Sequence, residues 1–282
     1  MRTKMTRVAL LRCDPLPEPD PDERPLVAAF ARQGAHAEGV PWRDAGDLSG
    51  YDAVVVRATW DYHLHAEAFA QMLRRADAQS VLVNPLRVCL GNLHKGYLLK
   101  LPWRGVPIVP TVLADIGESL DVTSLQWEEI VIKPAVSCGS WQTRRLRADD
   151  PEAQRFYDEL VATRDVLVQP AMEAFADPGE RSLIWIDGQV THAVRKLPRF
   201  AGEDERSSPH DPITQAEREF ADLVVSTLRE PPLFARVDVI DGEDGLVLSE
   251  LEALEPSLFF RFSEAAADAL ARAVLRRVGA AK

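Results

Sequence analysis

Short apolar runs alternating with amphipathic stretches open the chain. Val8 to Leu11 is a continuous apolar run, the pattern of a buried strand. Pro25 to Gln33 predicts a helix, with proline at its start and Gly34 just past its end, the usual asymmetry of helix termini. Val54 to Arg57 and Val81 to Val83 repeat the strand signal, the latter stopped by Asn84-Pro85. Between them, Ala66 to Ala76 has helical period with Phe69, Met72 and Leu73 on one face. Such alternation predicts a parallel sheet covered by helices. The stretch DPLPEPDPDERP (14 to 25) is too proline-rich for either element. It reads as a surface loop after the first strand, serving either as a ligand-side loop of an open α/β layer or as a solvated connection.

The middle of the chain changes character. Trp127 to Ile132 predicts a strand ending in Lys133-Pro134, followed by the small-residue loop AVSCGSWQT (135 to 143) and by Arg144 and Arg145. A loop of this composition, with Ser137, Gly139 and Ser140, can bring backbone N–H groups against phosphate oxygens beside the Lys133 charge, or it can simply connect a hairpin. It is not a Walker A loop, because GxxxxGK[ST] occurs nowhere in the sequence. Asp150-Pro151 caps a helix with Phe156, Leu160 and Val161 inward, and DVLVQP (165 to 170) is another strand. Arg181 to Ile186 and Gln189 to Val194 flank Asp187-Gly188 as a hairpin, FAGEDERSSPHDP (200 to 212) reads as a loop, and a last helix after Ser263 carries Leu270, Val274 and Val278.

Chemistry concentrates near the C-terminus. FARVDVI (234 to 240) and LVLSELEAL (246 to 254) flank a GEDG turn (242 to 245), which predicts a hairpin. Side chains two apart share a face of a strand, so Arg236 goes with Asp238 and Glu250 with Glu252. Three carboxylates on one half-buried surface repel one another unless a cation neutralises them, and two Mg2+ ions would do so; the other reading is the solvated face of an exposed hairpin.

Composition narrows the classes. The 282 residues, 46% of them hydrophobic, exceed one typical domain and predict two or three subdomains. The 44 acidic residues outnumber the 33 basic ones for a formal charge of -11, which argues against nucleic acid or an anionic membrane as the main partner. Cys13, Cys89 and Cys138 are widely spaced, without a CxxC or Cys/His pattern, so neither a zinc site nor a disulfide framework is indicated, and a reducing cytoplasm fits. Cys138 has no base adjacent in sequence to make it a nucleophile.

Taken in order, these pieces resemble the ATP-grasp superfamily of ligases from about Leu82 to Phe260. The resemblance implies an ATP-grasp fold of α/β and α+β layers behind an N-terminal parallel-sheet domain. The segments are 1–90 on the substrate side, a small lid-bearing part at 91–165, and a C-terminal part with the metal site at 166–282. It implies that Lys95 in GNLHKGYLLK and Lys133 in IVIKP grip ATP phosphates, that the strand end Gln169, Pro170, Ala171 and Met172 receives adenine, and that Glu180 supports ribose or lid. Lys196 then acts on the γ-phosphate and Arg236 on the transition state, while Asp238, Glu250 and Glu252 hold Mg2+. Glu252 replaces the asparagine usual in the family, and Glu255-Pro256-Ser257 replaces a glycine-rich continuation.

The segments RATWDY, KPAVSCGSWQT, GERSLIWIDGQVTHAVRKLP and ELEALEPSLFF resemble the D-cycloserine synthetase branch, which activates the carboxylate of O-ureido-D-serine and closes a ring with the substrate's own nitrogen. A small amino-acid-like substrate is therefore implied, with or without a second amine, and a non-catalytic nucleotide-binding protein is the alternative of another class. Arg57, Trp60, Asp61, Tyr62 and Ser257 form the expected substrate set, Arg57 for a carboxylate and Asp61 for an ammonium; an internal salt bridge with aromatic packing is the competing reading. His63 and His65 read as surface residues and His192 as a hydrogen-bonded structural one. The oligomeric state, including a homo-oligomer, is open.

Overall fold

The computed structural model describes residues 5–197 and 206–281. Three sheets follow one another along the chain. The first is wholly parallel, in the order β2-β1-β3-β4, with β1 Arg7–Arg12, β2 His36–Pro41, β3 Ala53–Val56 and β4 Val81–Val83. Helices α1 Glu23–Arg32 and α2 Ala66–Gln79 lie on opposite faces. Residues alternate across the sheet: Val8 and Leu10 face α1 while Ala9 and Leu11 face α2. Both faces are covered, which is why the strand reads as an unbroken apolar run. Pro25 sits inside the first turn of α1 rather than at its first residue, where its missing N–H costs no helical bond. The edge strand β2, sequence HAEGVP, has no apolar pattern and was not expected.

After α3 Leu86–Asn92 and a 3-10 turn at Lys95–Lys100 comes a small antiparallel sheet, β5-β8-β6-β7, backed by α4 Pro151–Val161. Its strands are β5 Val112–Ala114, β6 Glu129–Pro134, β7 Arg144–Arg147 and β8 Val166–Pro170. Strand β8, placed from sequence at the head of the C-terminal segment, pairs here with β5 and β6.

The third sheet is antiparallel, in the order β11-β10-β9-β12-β13. It comprises β9 Glu180–Ile186, β10 Gln189–Lys196, β11 Ser207–Pro209, β12 Phe234–Gly242 and β13 Gly245–Glu252. Of the loop expected over 200–212, residues 200–205 lie outside the described residues, and Ser207–Pro209 pairs with β10 instead. Helix α5 Gln215–Ser226 packs on one face; α6 Glu264–Ala281 packs on the other, together with α1. The C-terminal helix thus joins the core of the N-terminal layer to the face of its own sheet.

Two buried polar residues weld the layers. Asn84 donates to the carbonyls of Phe234 (2.8 Å) and Ala253 (2.9 Å), and its own oxygen accepts from the Leu233 and Phe234 amides. Asp22 accepts from the amides of Leu258 (2.6 Å), Phe259 (3.1 Å) and Phe260 (2.7 Å) and from Arg57 (3.2 Å). The proline-rich stretch is therefore no plain surface loop: its last aspartate is fully buried and anchors the chain after β13.

Candidate active site

The strand pair β12/β13 sets the geometry. Asp238 lies opposite Glu250 and Arg236 opposite Glu252, and a bulge follows at Ser249. On the other flank Asp238 is opposite Ser182 of β9, and Glu180 is opposite Lys196 of β10. Register alone therefore gathers carboxylates and cations from four strands into one basin. Arg236 donates to Asp238 at 2.8 Å through Nη2 and 2.9 Å through Nε, and also reaches Glu252 at 2.5 Å. Lys196 contacts Glu180 at 2.8 Å and Asp238 at 3.1 Å; Ser182 donates to Asp238 at 2.5 Å. Lys95 pairs with Glu250, and its amide donates to the Ala135 carbonyl at 2.8 Å, tying it to the start of the small-residue loop.

The carboxylate repulsion expected from sequence is thus relieved by the chain's own Arg236, Lys196 and Lys95. Burial works against Asp238 ionising, but Arg236 and Lys196 outweigh it and hold the carboxyl well below its usual range. Glu250 is likewise raised by burial, yet Lys95 and Lys133 bring it below normal. Compensation is incomplete, since Glu180, Asp238, Glu250, Glu252 and Glu255 face Lys95, Lys133, Lys196 and Arg236. Burial and the neighbouring Glu250 and Asp238 push Glu252 up to about 7 against the pull of Arg236. Burial and then Glu252 drive Glu255 well above the carboxylate range.

Among the described residues no group of three His, Cys, Asp or Glu side chains converges in metal-ligand geometry. The chemistry of the donors nevertheless fits a hard divalent cation: Asp238, Glu250 and Glu252 offer only oxygen and lie on adjacent strands, and the raised Glu252 carboxyl is an acid that a further cation would ionise.

Lys133 ends β6 and points into the same basin. Burial lowers its ammonium while Glu250, Glu180 and Glu252 act in the opposite sense. Beyond it the loop carries Gly139, Ser140 and Gln142 with φ of 58°, 57° and 50°, a left-handed stretch that favours glycine and turns amides outward. Of the strand end expected to receive adenine, Gln169 spends its side chain on Thr111 (2.9 Å), and the Ala171 amide donates to Glu129 (2.9 Å). Among the described residues, the Met172 amide has no backbone acceptor.

The substrate set divides. Tyr62 is buried, donates to the Ser137 carbonyl at 3.4 Å and lines a cavity beside the basin. Trp60 packs against the α2 face of the first layer, and its carbonyl accepts from Cys138 Sγ at 2.8 Å. Arg57, expected to hold a substrate carboxylate, is instead buried against Asp22 and the Pro256 carbonyl. Asp61, expected to hold an ammonium, accepts from Trp42 Nε1 (2.5 Å) and Arg43 (2.8 Å). In each case an oppositely charged partner distant in sequence, Asp22 for Arg57 and Arg43 for Asp61, occupies the side chain in this structure. Ser257 follows Glu255 but does not line the cavity. His63 is half-buried rather than a surface residue: its ring packs at a 50° tilt against Trp141 with centroids 4.6 Å apart and lies 3.4 Å from Cys138 Sγ. The thiol stays inert, since burial and then Glu255 push it far up. His192 is structural as read, its Nε2 lying 2.9 Å from the Leu258 carbonyl.

Sequence reasoning missed Asn92 and Tyr97, which fasten β13 by bonds to the backbone of Leu251 and Ala253. The preceding NLHKGY segment shows no periodicity that would single them out. The α5 helix had a readable signal, the Thr214/Glu217 capping box.

A parallel α/β layer, a small antiparallel sheet with a small-residue loop, and a larger sheet carrying buried acid and lysine side chains together define an ATP-grasp carbon–nitrogen ligase. The fold agrees with an ATP-grasp RimK domain protein from Sphaerobacter thermophilus (TM-score 0.71, 19% identity, covering 96% of this chain and all of that one). It also agrees with D-alanyl-alanine synthetase A of Vibrio cholerae (TM-score 0.67, 13% identity, 98% and 99% covered). Residues 8–84 match the family model described as D-cycloserine synthetase DcsG, N-terminal domain. The chain is 30% identical to the cycloserine biosynthesis protein DcsG of Streptomyces lavendulae, covering 92% of this chain and 94% of that one. A crystal structure of D-cycloserine synthetase DcsG superposes with a TM-score of 0.87 at 28% identity over 96% of this chain and 99% of that one. The chain belongs to the DcsG family, and the resemblance read from the sequence is borne out. Among the described residues no helix is long and apolar enough to cross a membrane.

Proposed function

We propose that the protein uses ATP to convert the carboxylate of O-ureido-D-serine into an acylphosphate, on which the substrate's own ureido nitrogen closes to D-cycloserine. Ring closure expels phosphate and leaves an N-carbamoyl ring, so balance then requires one water to cleave the nitrogen–carbamoyl bond, releasing carbon dioxide and ammonia. The observation that carries this reading is the buried basin in which Arg236, Lys196, Lys95 and Lys133 face Asp238, Glu250 and Glu252. Phosphoryl transfer builds negative charge on oxygens, and preorganised cations in a dry site stabilise it.

Lys95 and Lys133 grip the α and β phosphates in this reading, with amides of the Ser137, Gly139 and Ser140 loop beside them. Lys196 meets the γ-phosphoryl group, and the planar Arg236 fork the acyl oxygens. Gln169 to Met172 border the adenine, with the Met172 amide the available donor, and Glu180 holds Lys196 in place. Asp238, Glu250 and Glu252 would hold Mg2+, two ions in our reading, which supplies charge neutralisation on the phosphates. With Mg2+ bound, Glu250, Asp238 and Glu252 would have a partner of their own, which would leave Lys95 and Arg236 available to the substrate. The loop from Ser137 to Trp141 excludes water, so that the tethered nitrogen captures the acylphosphate.

Incubation with ATP, Mg2+ and O-ureido-D-serine should yield ADP, phosphate and D-cycloserine by mass, with no second amine. Turnover that depends strictly on a second amino acid would replace ring closure by intermolecular ligation. Absence of ADP release with any carboxylate in a panel of D- and L-amino acids would leave a nucleotide-binding protein.

A further inference from the structure

Beside the acidic strand pair lies a cavity of about 20 Å3, enclosed by the N-terminal layer, the small-residue loop and the chain just past β13. That is space for one water, so an amino acid enters only when the loop over it moves. Most polar groups in its wall are already committed. The Tyr62 hydroxyl donates to the Ser137 carbonyl, Asn92 spans the Leu251 carbonyl and the Ala253 amide, Lys95 pairs with Glu250, and Cys138 donates to the Trp60 carbonyl. Glu255 differs. It lines the cavity, yet among the described residues its carboxylate has neither a hydrogen bond nor an ion pair.

Its position is nevertheless fixed. The next residue, Pro256, offers its carbonyl to Arg57 at 2.9 Å, and the amides of Leu258, Phe259 and Phe260 are all held by Asp22. Leu254, on the other side, is buried against the first layer. An acid fixed through the backbone on both sides, facing a cavity and without an ion pair among the described residues, ionises when a ligand brings a cation against it.

We propose that Glu255 binds the α-ammonium group of the substrate. This rests on the reading that an amino-acid carboxylate is activated in the adjoining basin. The ammonium and carboxylate of an α-amino acid are one carbon apart, so a carboxylate lying at Arg236 places its ammonium in the neighbouring cavity. Asp61, expected from the sequence to hold the ammonium, is spent on Trp42 and Arg43. The contact also serves the chemistry. An amine kept as ammonium by a carboxylate is no nucleophile, which leaves the ureido nitrogen alone to attack the acylphosphate.

The test is calorimetric binding, with Mg2+ and a non-hydrolysable ATP analogue present, to wild type and Glu255→Gln. The probes are O-ureido-D-serine and its desamino counterpart 3-(ureidooxy)propanoate. Glu255→Gln should weaken O-ureido-D-serine by about 10- to 100-fold, the range of a hydrogen bond to a charged group, while nucleotide affinity and the desamino probe are unchanged. Glu255→Asp, which keeps the charge one methylene further back, should fall between and serves alone if the glutamine variant does not fold. Equal affinity of wild type and variant for O-ureido-D-serine would overturn the proposal. So would failure of wild type to bind it, or a loss confined to Mg2+ and nucleotide, which would make Glu255 a metal ligand. Turnover separates this from the cyclase reading: amine-dependent binding that Glu255→Gln abolishes, with no product from wild type, removes cyclisation and keeps the site. Product formation with unchanged binding in the variant does the reverse.

Discussion

Replacing Asp22 by asparagine perturbs a carboxylate that is fully buried and accepts four hydrogen bonds. One oxygen serves Leu258, Phe259 and Arg57, and the other serves Phe260. If the asparagine oxygen takes the first position, its NH2 group meets the Phe260 amide, donor against donor. That orphans a buried N–H, at about 1–3 kcal/mol. It also leaves the Arg57 guanidinium, 4% exposed, without its anion, and breaking a buried pair from one side costs about 3–5 kcal/mol. The two penalties share partners and do not add in full, so the expected loss is about 3–5 kcal/mol. For a protein of this size that lowers Tm by roughly 6–20 °C. Urea unfolding of apo protein, with a thermal melt alongside, measures it. Because the same carboxylate fixes the residues after Glu255, KM for the amino-acid substrate should rise more than KM for ATP. A stability loss under about 1 kcal/mol, ordinary for a surface substitution, would show that the clasp does not hold the C-terminal segment.

Asp238→Asn should cut ADP formation by about 100-fold or more. It should also destabilise the apo protein, because Arg236 and Lys196 lose their shared partner; unchanged turnover at limiting Mg2+ would remove Asp238 from the metal set. Arg236→Lys keeps the charge but cannot reach Asp238 and Glu252 together as the fork does, so kcat should fall by about 100-fold or more with folding retained; near-normal kcat would refute the transition-state role. Burial raises the Glu217 carboxyl, but the Thr214 amide and hydroxyl and His210 bring it below its usual value of 4.5. An acid depressed in the fold stabilises above its unfolded pKa and loses that contribution as pH falls through its folded value. The stability gap between wild type and Glu217→Gln should therefore be full at pH 7 and shrink below about pH 4.5; equal gaps at pH 7 and pH 3 would contradict the assignment.

The sequence by itself determined the elements whose burial is two-sided or strictly periodic: β1, β3 and β4, the helices α2 and α4, and the β12/β13 hairpin with its GEDG turn. Hydrophobic period is a local property, and so is the sharing of a face by Arg236 and Asp238. The order of lysines, loop and acidic strand pair was enough to mark the family. What only the tertiary structure decided was how charges pair. Arg57 and Asp61 read as substrate ligands because they stand at and just past the carboxyl end of a strand, where ligands gather in open α/β sheets, yet Asp22 and Arg43 pair with them across intervals that no local pattern encodes. The same holds for the acidic basin, where Lys196 and Lys95 arrive from another strand and a distant turn. Strand β2 lacked an apolar signal because an edge position asks for little burial, and β8 joined the middle sheet because strand pairing, unlike strand formation, depends on which partner folds alongside. Glu255 is the converse case: it stood out only once the other polar groups around the cavity were seen to be paired with one another.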